Sequence, residues 1–507
     1  MVTARGKRRG AGRPMSRMLG LLCLVAALLG CAADVPREDL RFGLAAMPVT
    51  LDPRHATDAA SARIIRLLYQ RLVEFDEHAM PVPGIADWET PEPTRYRFNL
   101  QSPRPRFSNG AELAAADVVA SYESVLDERT GSAHRISLEN VAAVRAVGDD
   151  VVEFLLHRPD PLFPGRLTIG IMPRQLLQAG QQFNRSPVGS GPFEFVAWPA
   201  DGELRLRRRA DGVDFAFLAV SDPTVRVLKV LRGEIDMIQN DLPPELVSWL
   251  REREEVRVSA GSGSNFAYLG FNLRDPLTGQ PELRRAIAHA IDREALIRYV
   301  LGDTARPAGG ILPPEHWAGL GDSGVPYDPD EARRLLASIG AQGARIVYKT
   351  STDPVRLRLA TAIQRQLAEI GIDVDLRSYD WGTFYGDIKA GNFQMYSLSW
   401  VGVKLPEIYR YAFHSTALPP LGANRGFFVD TVADRLIERA EAAISTPAQI
   451  EPLHSLQRRL LEALPYVPLW YEDHVFVARS DIRGYQIAAD GNYDSLVMVR
   501  RVGAGDA

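Results

Sequence analysis

The sequence predicts a mixed α/β protein with a parallel sheet in its C-terminal half, and three features of residues 344–404 carry that expectation. "ARIVYK" (344–349), "IDVDLRSYDW" (372–381) and "FQMYSLSW" (393–400) read as strands. Between the first two lies "DPVRLRLATAIQRQLAEIG", with Asp353 as cap, Pro354 in the first turn and Gly371 as terminator of a helix. Its Val355, Leu359, Ile363, Leu367 and Ile370 share one face, and a second helix is expected around "GTFYGDIKAG". Strand–helix–strand–helix–strand order requires crossovers over a parallel sheet. Ligands of such sheets sit beyond the carboxyl ends of the strands. Those ends carry Lys349-Thr350, Tyr379-Asp380-Trp381 and the run Trp400 to Lys404, which makes Trp381, Trp400, Lys349, Thr350 and Lys404 candidate ligand contacts.

The elements before this unit are also mixed. "LRFGLAAMPVTLDP" (40–53) predicts a strand entering a turn, and "TDAASARIIRLLYQRLVEF" (57–75) a helix with Ile64, Leu68 and Leu72 on one face. "RYRFNLQ" (95–101) and "DVVEFLLHR" (150–158) alternate as strands around a helical "AADVVASYESVLD" (115–127). "PELRRAIAHAIDREALIRYVLG" (281–302) reads as one or two helices, with Pro281 in a first turn and Asp292 as an internal cap. "GSGSNFAYLGFN" (261–272) is small and flexible, then apolar, and predicts a crossover between two lobes. No period of 20–50 residues suggests a solenoid.

The first 30 residues read as a removable export signal. Residues 1–17 hold six basic side chains and no acid, and Met18–Gly30 is apolar but too short to span a bilayer. Leu28-Leu29-Gly30-Cys31 resembles a bacterial lipoprotein box, which implies cleavage before Cys31, lipid on its thiol and a membrane tether without a spanning helix. Arg8-Arg9 lacks the apolar pair expected of twin-arginine export. Loss of the leader leaves 53 Lys and Arg against 63 Asp and Glu, a balance that argues against nucleic acid as partner. Of the two cysteines, Cys23 leaves with the signal and Cys31 carries lipid, so stability must come from core burial rather than a disulfide.

Motifs for catalysis are missing. No phosphate-binding G-x-x-x-x-G-K-[ST] occurs, and neither "VGSGP" nor "GSGSN" fits the nucleophile elbow G-x-S-x-G. The nine His form no H-x-H or H-x-x-x-H pair. We therefore expect a non-enzyme with neither cofactor nor protein-held metal.

Several blocks, in shared order, resemble the extracytoplasmic solute-binding proteins of family 5, the peptide, dipeptide and nickel receptors of ABC importers. "LDPRHATDAASARIIRLLYQRLVEFDEHAMPVPGIADWE" is similar to the family's N-terminal region and contains Tyr69 of its Y-E-x-L element. "RYRFNLQSPRPRFSNGAELAAADVVASYESVLD", "SPVGSGPFEFVAW", "LRGEIDMI", "LRRAIAHAIDREALI" and "PYVPLWYE" follow. The N-P-x-Y-W block is replaced by a shorter "RRRADGVDFAFLAVSDPTVR".

The resemblance implies a two-lobed periplasmic-binding-protein fold with mixed sheets and a hinge, closing over a buried solute. The expected divisions are a leader at 1–30, lobe I at 31–262 with an inserted subdomain at 57–180, lobe II at 263–479 and a return to lobe I at 480–507. It implies a monomeric periplasmic lipoprotein that captures a peptide or peptide-like solute and delivers it to a permease with its ATPase. A non-transport sensor or chaperone-like lipoprotein stays open as the alternative.

The match thins at the charged grips. Dipeptide-binding members place an Asp shortly after the strand-end Trp to hold the ligand ammonium, and here Val403 stands at that position with Lys404 next. Their Arg for the ligand carboxylate is replaced by Thr350 beside Lys349, while Trp381 matches the Trp that packs along the ligand. A free dipeptide is then a poor cargo unless Glu407 or Asp380 supplies the counter-charge, since a buried unpaired ammonium costs several kcal/mol. Lys404 is either a partner for an anionic group or a solvated loop lysine.

Overall fold

A computed structural model describes residues 1–3, 39–200, 202–321 and 324–503. The leader and Cys31 lie outside the described residues. The strands of the body are β1 (Leu40–Leu44), β2 (Val73–Phe75), β3 (Pro81–Pro83), β4 (Ala86–Glu92), β5 (Arg95–Leu100), β6 (Val141–Val147), β7 (Val151–Leu156), β8 (Phe193–Ala197) and β9 (Leu204–Arg208). They continue as β10 (Asp214–Ala219), β11 (Met237–Gln239), β12 (Val256–Phe271), β13 (Ala305–Pro307), β14 (Arg345–Ser351), β15 (Asp373–Tyr379), β16 (Met395–Trp400) and β17 (Tyr466–Arg479).

The predicted parallel unit is present. Strand β14 pairs in parallel with β15 on one side and β16 on the other. The helix Pro354–Glu369 starts where expected, with the Asp353 carboxylate accepting from the Arg356 N–H and proline in the first turn. It buries Leu359, Ile363 and Leu367 against the sheet. The segment 281–302 forms two helices, Pro281–Ala290 and Arg293–Tyr299, and Asp292 caps the second by accepting from Ala295 N. The helix Ala59–Leu68 is shorter than expected: it ends at Leu68, so Leu72 is buried beyond it rather than on its face.

These strands belong to one mixed sheet of order β15-β14-β16-β12-β17-β11-β1-β10-β9-β8, with β13 against β17. Only β12 and β17 run through its middle. Strand β16 pairs with β12 along Phe266–Phe271, whereas β11 pairs with β17 along Phe476–Ala478. Two long antiparallel strands therefore join two half-sheets. One half carries buried clusters on both faces, centred on Ile287 and Leu367 and on Tyr396 and Phe413. The other half is sealed by clusters around Phe42 and Phe217 and around Val230 and Val477.

The crossover expected at 261–272 is not a loop. It is part of β12, with a register shift against β17 between Gly261 and Asn265. Its small residues are required by close approach: a Cβ on Gly263 would lie 2.0 Å from the Glu472 carbonyl oxygen. A separate four-stranded antiparallel sheet, β4-β5-β7-β6, packs under the helix Ala115–Leu126 around Phe98, Tyr122 and Phe154.

Candidate functional site

The carboxyl ends of β15 and β16 stand beside the segment of β12 that crosses to the other half-sheet, because Trp400 pairs with Phe266. Asp380 ends β15 and caps the next helix, accepting from Thr383 N at 3.1 Å. That cap sets Trp381 at the first helical position, 60% exposed, with its ring stacked on Tyr385 one turn later at 5.4 Å and 5°. The ring thus packs on a neighbouring aromatic face while leaving most of its own surface open. Trp400 is half-buried, lies parallel to Tyr268 at 6.5 Å and takes the edge of Tyr411 at 6.1 Å.

Arg425 links the two indoles. Its guanidinium carbon lies 5.1 Å from the Trp400 ring and 5.4 Å from the Tyr385 ring. One terminal nitrogen donates to Tyr385 Oη at 3.1 Å and the other reaches Tyr268 Oη at 3.5 Å. The side chain is 8% exposed, and no Asp or Glu among the described residues pairs with it. Aromatic faces and hydroxyls hold this cation in place without cancelling its charge. Arg356 forms a second cationic point, with Nη1 at 3.2 Å from Ser399 Oγ and Nη2 at 3.4 Å from Glu472 Oε1.

The other expected contacts have different fates. Lys349 points its ammonium at Asp387, 2.6 Å away, over the Tyr379 ring. Thr350 is fully buried and its hydroxyl has no protein partner, because β14 runs on to Ser351 and carries both residues inside the strand. Val403 is half-buried against the Tyr396 and Phe413 cluster. Lys404, in the loop after β16, reaches Asp490 Oδ2 in the C-terminal segment at 2.5 Å and sits 4.8 Å over the Phe75 ring of β2.

Tyr69 lies apart from the rim. It caps the helix Ala59–Leu68 and is fully buried, with Gly170 and Gly189 so close that a Cβ on either would fall within 2.9 Å of its side chain. Burial pushes its hydroxyl well above the ordinary phenol range. The two carboxylates considered as ammonium partners are engaged as well: Asp380 as the helix cap, and Glu407 by Arg166 from the short turn Phe163–Arg166. Trp381, through Tyr385, and Trp400 thus flank Arg425, and Arg425, Arg356 and Asp490 are groups the sequence did not point to. No cluster of three metal-ligating side chains occurs among the described residues.

A protein of Pseudomonas aeruginosa named "Probable di/tripeptide-binding protein 5" is 29% identical over 88% of this chain and 92% of its own length. The dipeptide-binding protein of Escherichia coli is 25% identical over 94% of this chain and 97% of its own. Among solved structures, the ABC transporter substrate-binding protein CtaP of Listeria monocytogenes superposes with a TM-score of 0.83 at 21% identity, covering 92% of this chain and 99% of that one. The oligopeptide-binding protein AppA of Bacillus subtilis, in complex with a nonapeptide, gives 0.73 at 21% identity over 92% of this chain and 99% of its own. These neighbours share the two-lobed fold. Residues 80–417 match the model of the bacterial extracellular solute-binding proteins, family 5 (middle region), and with two thirds of its length so matched the chain belongs to that family.

Proposed function

We propose that this protein captures a peptide-like solute between its lobes and presents it to an ABC permease and its ATPase. In this reading it acts outside the cytoplasm as a monomer, tethered by lipid on Cys31, and performs no catalysis. The observation that carries the reading is the Trp381–Tyr385–Arg425–Trp400 assembly at the strand ends: an exposed indole, a second indole and a buried, uncancelled cation facing the crossing strands. Aromatic faces grip flexible organic chains with little specificity for sequence, and a guanidinium adds a directional contact for a carboxylate. Names of relatives that bind dipeptides and tripeptides support the same class of cargo.

The lobe assignment belongs to this proposal. Residues 31–262 with 480–507 form lobe I, including the inserted subdomain within 57–180, and 263–479 form lobe II. The register shift at Gly261 to Asn265 supports the first boundary, and β17 makes its own crossing near Glu472–His474, inside the strand. Ligand contacts on both lobes would favour the closed arrangement by their differential affinity.

The test is native mass spectrometry of the purified mature protein, followed by identification of released cargo and a thermal-shift screen of dipeptides and tripeptides. A retained or stabilising peptide-like molecule is expected. Absence of both retained cargo and any stabilising peptide refutes the reading.

A further inference from the structure

We infer that Lys404 is a built-in occupant of an ammonium site on lobe I, formed by the face of Phe75 and the carboxylate of Asp490, so that the receptor selects cargo lacking a free primary ammonium at that end. The inference rests on the proposed receptor role for its consequence, but the site itself is defined by geometry. The Lys404 ammonium lies 2.5 Å from Asp490 Oδ2 and 4.8 Å over the Phe75 ring. An aromatic face beside a carboxylate is the chemistry that recognises alkylammonium groups. Asp490 is fixed to receive it: Asn492 donates its backbone N–H to Oδ1 at 3.0 Å and its side-chain amide to Oδ2 at 2.6 Å. Both charged side chains are largely covered, 23% and 21% exposed.

Lys404 is also held from its own lobe. Its carbonyl oxygen lies 3.0 Å from His316 Nε2, and His316 Nδ1 accepts from the Ala318 N–H at 3.0 Å. An imidazole that accepts at Nδ1 carries its proton at Nε2, so His316 donates to the Lys404 carbonyl. Lys404 comes four residues after Trp400, through an exposed turn at Val401 and a left-handed Gly402. A tethered ammonium, four residues along the chain from Trp400, is therefore already paired with the carboxylate that a cargo amine would need. Val403, directly before it, offers such an amine nothing. Displacing Lys404 would require a cargo to replace a short charge-assisted bond and leave the lysine unpaired.

Two measurements test this. The first is chemical rescue. Lys404→Ala should lower the melting temperature of the mature protein, and n-propylammonium chloride, which restores the missing three carbons and the charge, should raise it saturably. Sodium chloride at equal ionic strength should not, nor should n-propylammonium raise the melting temperature of the unaltered protein or of Lys404→Ala combined with Asp490→Asn. No saturable response in Lys404→Ala, or an equal response in the unaltered protein, overturns the site.

The second compares Ala-Phe with N-acetyl-Ala-Phe by calorimetry. The unaltered protein should bind the acetylated form at least as tightly, and Lys404→Ala should gain at least tenfold for the free amine. A tenfold preference for the free amine with Lys404 in place overturns the selectivity, and this arm needs no variant to fold. Rescue by n-propylammonium with no binding of either peptide, and no peptide cargo found, retains the ammonium site while refuting the peptide-receptor role.

Discussion

Asp490→Asn removes one charge from the Lys404 contact and nearly preserves its shape. Burial alone would raise the Asp490 carboxyl, but Lys404, the Asn492 N–H and nearby Arg66 hold it down to about 2 from the ordinary 3.8. A group with a depressed native pKa stabilises the fold above its unfolded pKa and loses that contribution as pH falls through the native value. At 1.36 kcal/mol per unit, the ionised Asp490 contributes on the order of 2 kcal/mol at pH 7, roughly half of that at pH 3 and little at pH 2. With the side chain 21% exposed, solvent screening removes little of this. Urea titrations of both proteins, followed by tryptophan fluorescence, should show the variant less stable by about 2 kcal/mol at pH 7, with the gap roughly halved at pH 3. Equal stability at pH 7, or a gap that does not change with pH, would refute the argument that the Lys404 contact sets the Asp490 charge.

Trp381→Ala should leave the melt within about 0.5 kcal/mol of native, because the ring is mostly exposed, while weakening cargo binding by about fivefold to tenfold in calorimetry. Arg425→Gln should cost about 1.5–3 kcal/mol of affinity for a cargo with a free carboxylate and much less for its amide; equal losses for the two would remove Arg425 from carboxylate binding. Gly263→Ala should cost about 1–3 kcal/mol in stability, since the new methyl would press on the Glu472 carbonyl across β12 and β17, and urea midpoints check it. Cys31→Ser should release the protein from membranes in unprocessed or soluble form; labelled palmitate still entering the variant would defeat the anchor.

The βαβαβ unit was legible because each boundary is written locally: Asp353 and Pro354 open a helix, Asp380 opens another, and apolar residues recur at helical spacing between them. The crossing strand was not, because its glycine-containing stretch from Gly261 to Asn265 has low intrinsic strand preference and pairs only at its ends, Gly261 with His474 and Asn265 with Glu472, about 210 residues away. Trp381 and Trp400 were found because strand ends are predictable. Arg425 was missed for the opposite reason: it lies 25 residues beyond Trp400, in a stretch without periodicity, and reaches back under the indole through tertiary packing alone. The partner of Lys404 was equally hidden, since Asp490 comes from the far end of the chain. The charge of Lys349 was visible in the sequence, but Asp387, which takes it up, sits on the helix Trp381–Ala390, beyond the next helix and strand.

The ribbon of β12 and β17 has a mechanical consequence. The two strands are laced together by backbone hydrogen bonds on both sides of the irregular stretch at Gly261 to Asn265, so neither can flex without carrying the other. Such a paired strip resists sliding and stretching while yielding to bending and twist, like a leaf spring clamped at both ends. In the proposed role, a guest seated at the indoles would be felt on the distant outer surface as a change of angle, with no strand broken and no hydrophobic interior opened to water.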